Sequence, residues 1–308
     1  MIAAVVCGSA FLLALLLAAF RVGEQPGKLS DWQALVLGVV QGLTELLPIS
    51  SSGHLILVPW LFDWRYLEHH DSFNKTFDVA LHVGTLVAVV VYFRRDIAEL
   101  IAAWVRSVRR RGIATDAERI AWYVLAATIP AAIVGAAGES FIEKKLGKPW
   151  QIAIFLAVFG VVLWIADRRP QDRQIRDLDA RRSFLIGLAQ VLALAPGVSR
   201  SGITISTGRF LGLSRDAAAR FSFLLLVPIV FGASLLKGLK VAKDGLPPGS
   251  GGPFAVGMIA AAVTGMLAIW ALLGYVRRHD YSPFVLYRLA VAAFVLILIA
   301  GGVRDSTF

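Results

Sequence analysis

Cysteine occurs once in 308 residues, at Cys7 inside an apolar stretch, which excludes a disulfide framework and a cysteine-ligated metal. Cys7 is most simply a small packing or lipid-facing residue. Charge is scarce as well: 17% of residues are Asp, Glu, Lys or Arg and 57% are hydrophobic, whereas soluble domains carry about a quarter charged residues. A soluble domain is thereby excluded. Acidic residues are the scarcer sign, 21 against 31 basic, a formal net charge of +10. In a soluble protein that balance would raise the question of nucleic acid, but here the basic residues lie in loops between apolar runs. No nucleic-acid partner is expected, and the arginines read as topology signals and contacts for anionic membrane lipid.

Long apolar runs fill the rest. Six have the length of a bilayer crossing, which takes roughly 20 helical residues: Thr76 to Phe93, Ile120 to Gly138, Trp150 to Ala166, Ala217 to Leu236, Phe254 to Val276 and Phe284 to Val303. A further run, Ile2 to Phe20, lacks a basic leader and is followed by Arg21, the reverse of signal-peptide charge order. It reads as an additional, retained N-terminal helix, so that residues 1–30 are helix and linker and 31–308 form one membrane-embedded domain.

Two other apolar stretches are interrupted. Pro48, Ser50, Ser51, Ser52 and Gly53 break one; Pro196, Gly197, Ser199, Ser201 and Gly202 break the other. Each flanking limb is too short to cross alone. Unpaired backbone in hydrocarbon costs several kcal/mol per group, so such breaks persist only where protein or a water-filled cavity surrounds them. The expected fold is an all-α polytopic membrane protein with six transmembrane helices and two re-entrant helix-loop-helix hairpins.

Loop charge orients them. The loop Arg94 to Arg119 carries Arg94, Arg95, Arg106, Arg109, Arg110, Arg111 and Arg119, and Asp167 to Arg182 carries six further arginines, placing both in the cytoplasm with the Arg277-Arg278 turn. The Lys144, Lys145, Lys148 and Lys237, Lys240, Lys243 loops fall outside. Threading the spans through these assignments brings the first hairpin in from outside and the second from inside. Gln41, Ser50, Ser52 and Gly53 also match Gln190, Ser199, Ser201 and Gly202 at equal offsets. This is the pattern of an inverted-topology repeat, approximately 31–140 and 183–276, and broken helices in corresponding positions point to a midplane binding site.

The chemistry concentrates at the breaks. Gln41 and Glu45 lie four apart, on one helical face. An ionisable Glu45 at membrane depth is costly unless it faces a pathway, a partner or a metal. Free N–H groups at the start of the limb after Ser50-Ser51-Ser52-Gly53 make an anion site, and His54 follows. One serine suffices for a helix cap; three with a histidine exceed that need. In the second break Arg200 lies between Ser199 and Ser201, where its planar fork suits a phosphate oxygen pair better than snorkelling. Asp78 and His82 read equally as a ligand pair or as a buried hydrogen-bonded pair. His69 and His70 read as solvated, Arg288 as a snorkelling residue near a span end, and Asn74-Lys75-Thr76 as a chance glycosylation sequon.

Gln41-Gly-Leu-Thr-Glu45-Leu-Leu-Pro-Ile-Ser-Ser-Ser-Gly-His54 together with Pro196-Gly-Val-Ser-Arg200-Ser-Gly202 resembles the bacitracin-resistance undecaprenyl-diphosphate phosphatase family. The resemblance extends from about Asp31 to the C-terminus. It implies removal of one phosphate from undecaprenyl diphosphate, regenerating the lipid carrier for peptidoglycan at the inner membrane, with the active cavity open to the periplasmic side. The family pattern takes Glu or Gln at its first position, and Gln41 leaves Glu45 as the motif's only acidic member.

Diphosphate hydrolysis needs charge neutralisation, in-line positioning and an activated nucleophile. Arg200 with Ser50, Ser52, Gly53, Ser199, Ser201 and Gly202 is expected to hold the diphosphate. Ser51 is the expected nucleophile, with His54 as general base and later proton donor. Glu45 either orients His54 or holds a divalent cation, Mg²⁺ or Ca²⁺, with Gln41. Direct attack by His54 is the competing version. A homodimer is compatible with the sequence without being required by it. From another functional class, a flippase or carrier of an anionic lipid shares the broken-helix architecture.

Overall fold

The computed structural model describes residues 29–64, 71–170, 172–244, 246 and 249–306. The apolar run before Arg21, and His69 and His70, lie outside the described residues. Eleven α-helices make up the described chain: α1 Asp31–Leu46, α2 Ser51–Phe62, α3 Asp71–Tyr92, α4 Arg94–Arg110, α5 Asp116–Leu146, α6 Pro149–Asp167, α7 Ala180–Gln190, α8 Arg200–Phe210, α9 Arg215–Asp244, α10 Gly251–Val276 and α11 Ser282–Ala300.

Six of these, α3, α5, α6, α9, α10 and α11, are long and apolar enough to cross a membrane, and they are the six that the apolar runs mark. Their outward faces carry bare apolar side chains such as Ile133, Trp270 and Ile297, which in water would favour aggregation and in a bilayer meet lipid. This is a multi-pass membrane protein.

Local chemistry sets the helix ends. Ser30 caps α1, its Oγ accepting from Gln33 N at 3.2 Å while Gln33 Oε1 accepts from Ser30 N at 2.9 Å. Pro48 stops that helix, because its ring pushes Leu47 out of the helical region to φ −73°, ψ 146°. Thr115 with Glu118 starts α5 in the same manner, Asp179 caps α7, and Pro149 occupies the first turn of α6.

Three segments depart from the sequence expectation. Lys144 and Lys145 continue α5, and Lys237, Lys240 and Lys243 continue α9, as helix and not as loop, because lysine is a good helix former. The third is the arginine-rich stretch. Arg94 to Arg119 is not a loop throughout: residues 94–110 form α4, with Ile101, Trp104 and Val108 exposed. Charge density hid the helix, since six arginines within 94–111 mask an apolar stripe spaced three to four residues apart. Asn74-Lys75-Thr76 lies inside α3.

The two interrupted stretches form helix-break-helix units, α1 with α2 and α7 with α8, the latter through a short 3₁₀ turn at Val191–Leu194. At 16 and 12 residues, α1 and α2 extend about 24 and 18 Å, short of a bilayer core of about 30 Å. Both units are packed inward. Helix α1 lies against α10 and α3, α7 against α5, and α2 and α8 both reach α6. Small residues permit the approach: a Cβ on Gly38 would stand 2.3 Å from Gly257 O, and one on Gly187 would stand 2.2 Å from Ala127 O. Gly38 precedes Gln41 by three residues, as Gly187 precedes Gln190.

Candidate active site

The second helix of each unit begins on a serine in an unusual conformation. Ser50 has φ 77° and Ser199 φ 75°, left-handed values that cost a non-glycine residue roughly 1–3 kcal/mol unless the surroundings impose them. Both side chains cap the helix that follows, Ser50 Oγ accepting from Gly53 N at 3.4 Å and Ser199 Oγ from Gly202 N at 3.0 Å. Within a helix the first amides have no intrahelical partner, so Ser51, Ser52, Arg200 and Ser201 present free donors at two positive helix ends.

The breaks also hold one another. Ser50 Oγ accepts from Gly197 N at 3.1 Å, and Ser201 Oγ donates to Leu47 O at 3.0 Å. Gly53 and Gly202 leave room for close neighbours: a Cβ on Gly53 would meet Ile152 Cγ2 at 3.0 Å, and one on Gly202 would meet Arg288 Nη1 at 2.9 Å.

Arg288 is the clamp. It does not snorkel: it is fully buried and donates to Pro48 O at 3.1 Å, Gly197 O at 2.9 Å and Val198 O at 3.1 Å, and to Leu156 O at 3.0 Å and Phe155 O at 3.3 Å on α6. One guanidinium therefore satisfies carbonyls that both breaks leave without helical partners.

Between the two helix ends lies Glu45. Its Oε2 accepts from the Ser51 hydroxyl and from Gln41 Nε2 at 3.3 Å, and lies 3.5 Å from His82 Nε2. Its Oε1 faces Arg200, with Nη2 at 3.3 Å and Nε at 3.4 Å. Arg200 is held from behind by Ser222 O at 2.8 Å, and the Ser222 hydroxyl accepts from Thr204 Oγ1 at 2.7 Å. Carboxylate, hydroxyl, guanidinium and imidazole thus meet at one buried point, drawn from α1, α2, α8 and α3.

His54 faces elsewhere. Its Nδ1 lies 2.7 Å from Ser50 O and its Nε2 2.9 Å from Tyr287 Oη, with the two rings stacked at 5.6 Å. The sequence pairs His54 with Ser51 as its base; in the structure both ring nitrogens are engaged away from Ser51, and Glu45 takes the Ser51 hydroxyl. Helical geometry explains this, because a side chain four residues on reaches back to the capping carbonyl of Ser50. Ser199 Oγ lies 3.2 Å from Ser201 Oγ. Ser52 is half-buried and bonds to none of these side chains among the described residues.

His82, Ser222, Tyr287 and Arg288 were not assigned to the site by sequence reasoning. For His82 a signal exists, since Asp78 and His82 stand out as a polar pair in an apolar helix. The ring reaches Asp78 through its backbone carbonyl, Nδ1 to O at 2.7 Å, leaving Nε2 toward Glu45.

A divalent cation can be weighed against these donors. Gln41 Oε1 is buried with no hydrogen-bond partner, an oxygen left over beside the Glu45 carboxylate. Among the described residues no group of three or more His, Cys, Asp or Glu could cage a metal. One carboxylate and one amide oxygen suit Mg²⁺ or Ca²⁺ only where phosphate oxygens and water complete the shell, a usual arrangement for Mg²⁺.

Against known proteins, a family model described as bacitracin resistance protein BacA matches residues 34–294, a stretch containing every residue named in this site. Among curated relatives, the undecaprenyl-diphosphatase of Geobacter sulfurreducens is 50% identical over 265 residues, 85% of this chain and 96% of the relative. That of Pelobacter propionicus is 46% identical over 272 residues, 88% and 97%, and that of Thermomicrobium roseum 44% over 278 residues, 87% and 98%.

Proposed function

The chain belongs to the BacA family of bacitracin resistance proteins, and from that premise we infer that it is an undecaprenyl-diphosphatase. It hydrolyses undecaprenyl diphosphate to undecaprenyl phosphate and inorganic phosphate, which returns the lipid carrier to envelope synthesis and confers bacitracin resistance. The observation that carries the chemistry is the hydrogen bond from Ser51 to Glu45 beside the Arg200 fork.

In our reading Arg200 and the free amides of Ser51, Ser52, Arg200 and Ser201 receive the terminal phosphate, since two helix N-termini and a planar guanidinium complement its oxygens. Glu45 accepts the Ser51 proton as Ser51 Oγ attacks the terminal phosphorus. The anhydride P–O bond breaks, and undecaprenyl phosphate departs with the proton that Glu45 took, which leaves Glu45 ionised. Water then attacks the phosphoserine, Glu45 taking a proton from it and passing that proton to Ser51 Oγ as phosphate is released. His54, in the first turn of α2, has its ring nitrogens on Ser50 O and Tyr287 Oη, so Glu45 takes the base role in its place. Where a divalent cation takes part, Glu45 and Gln41 would hold it, and it would neutralise charge on the diphosphate.

The two helix-break-helix units are read as re-entrant hairpins coming from opposite faces of the inner membrane, halves of an inverted repeat, with the cradle open to the periplasmic side. The matched caps at Ser50 and Ser199 and the matched contacts at Gly38 and Gly187 support the repeat.

Phosphate release by the purified protein in detergent micelles, where no leaflets exist, separates hydrolysis from lipid transport. The expected result is release from polyprenyl diphosphate with Mg²⁺ or Ca²⁺ supplied, lost about 10³-fold in Ser51→Ala. Phosphoenzyme quenched in denaturing detergent at neutral pH is expected to carry acid-stable phosphoserine; acid-labile phosphohistidine would overturn the Ser51 assignment.

A further inference from the structure

A groove of about 120 Å³ lies between α1, α2 and α11. Val36, Val40, Val58, Val291 and Phe294 line it, and His54 and Tyr287 close its inner end. Its few polar groups are already satisfied: Thr44 Oγ1 donates to Val40 O at 2.7 Å, and Tyr287 pairs with His54. A void with such walls offers water nothing to bond to, and protein interiors seldom keep voids of this size.

Its two ends say what fits. At the inner end, His54 stands three residues from Ser51 in the first turn of α2, so the groove stops within one helical turn of the reacting residue. At the outer end, Phe294 is 50% exposed on α11, one of the six apolar helices, so the groove opens sideways onto the lipid-facing surface. The occupant must therefore have an apolar chain that arrives from the bilayer and an anionic end that reaches the cradle.

We propose that this groove is the subsite for the isoprene unit next to the diphosphate, and that the rest of the chain stays in the bilayer. The inference rests on the phosphatase reading above. Size limits how much is bound: an engineered apolar cavity of about 150 Å³ holds benzene, so the groove takes roughly one five-carbon unit. The protein then recognises the presence of that first unit and is nearly indifferent to the number that follow. Tyr287, stacked on His54, forms the wall against which the unit ends.

The test uses polyprenyl methylene-bisphosphonates, which cannot be hydrolysed, carrying a photoreactive diazirine on the first or on the last isoprene unit. With wild-type protein in micelles, the first-unit probe is expected to label peptides of α1, α2 or α11 and to be displaced by undecaprenyl diphosphate. The last-unit probe should show no displaceable labelling there. Val291→Trp, which fills the groove, should lower first-unit labelling about tenfold and raise KM by a similar factor with kcat nearly unchanged. Displaceable first-unit labelling elsewhere, or labelling unaffected by a folded Val291→Trp, would overturn the proposal. If that variant does not fold, the wild-type mapping decides alone. Labelling does not depend on turnover, so absence of phosphate release would remove the phosphatase reading without touching this result.

Discussion

Glu45 accepts from Ser51 and Gln41 on one oxygen and from Arg200 on the other, at 6% exposure, so its charge is shared among groups that lose a partner if it is neutralised. Glu45→Gln keeps the shape and removes the base. Phosphate release is expected to fall about 10²–10³-fold. Arg200→Lys keeps the charge but replaces a fork by a point, and a drop in kcat/KM of about tenfold or more is expected from the same assay. Arg288 belongs to stability as much as to the site. Arg288→Ala would leave five carbonyls without their donor, and thermal unfolding in detergent should show a loss of about 3–5 kcal/mol. By contrast Arg277, whose side chain is 57% exposed in its pair with Asp216, should lose no more than about 0.5 kcal/mol on replacement by Ala. Glu45, Ser51 and Arg200 stood out in the sequence because polar groups at membrane depth are rare. Arg288 did not, because position along an apolar helix cannot reveal which neighbour its face meets.

The breaks are held by paired devices that make distinct predictions. At Ser199, with φ 75°, glycine would relieve the backbone but lose the cap, whereas alanine would lose the cap and keep the strain. The expected stability order is wild type, then Ser199→Gly, then Ser199→Ala, with about 1 kcal/mol between the last two, read from unfolding in detergent. An alanine variant as stable as the glycine variant would contradict the strain argument. Helix contacts offer a second comparison. A Cβ on Gly42 would fall 1.9 Å from Thr264 Oγ1 and 2.6 Å from Ala261 O, while one on Gly274 meets nothing within 4 Å. Gly42→Ala should push α1 from α10, lowering both thermal stability and activity by about 2 kcal/mol or more, and Gly274→Ala should be silent. The existence of the long helices and of both breaks was legible from hydropathy and Pro48; α4 was not, because its arginines outweigh its apolar stripe.

For the whole molecule the arginine-rich connections predict orientation. With Cys7 replaced by serine the chain has no thiol, and single cysteines can report sidedness in intact cells. Lys148→Cys should react with a membrane-impermeant reagent, and Gly112→Cys only after permeabilisation. The reverse pattern would turn the topology over. By itself the sequence marked the six helices of the described residues that are long and apolar enough to cross a membrane, and the two breaks, because a bilayer imposes length and apolarity on any helix within it and tolerates Pro48 and Pro196 only where protein surrounds them. It also marked the residues of the cradle, since their charge has no reason to lie in an apolar chain. The pairing of those residues was decided only by the tertiary structure. Ser51 goes to Glu45 and His54 to Tyr287, and Arg288 ties two breaks about 150 residues apart. Those contacts depend on which helix faces pack together, and packing is set by small residues such as Gly38, Gly42 and Gly187 acting across long stretches of chain.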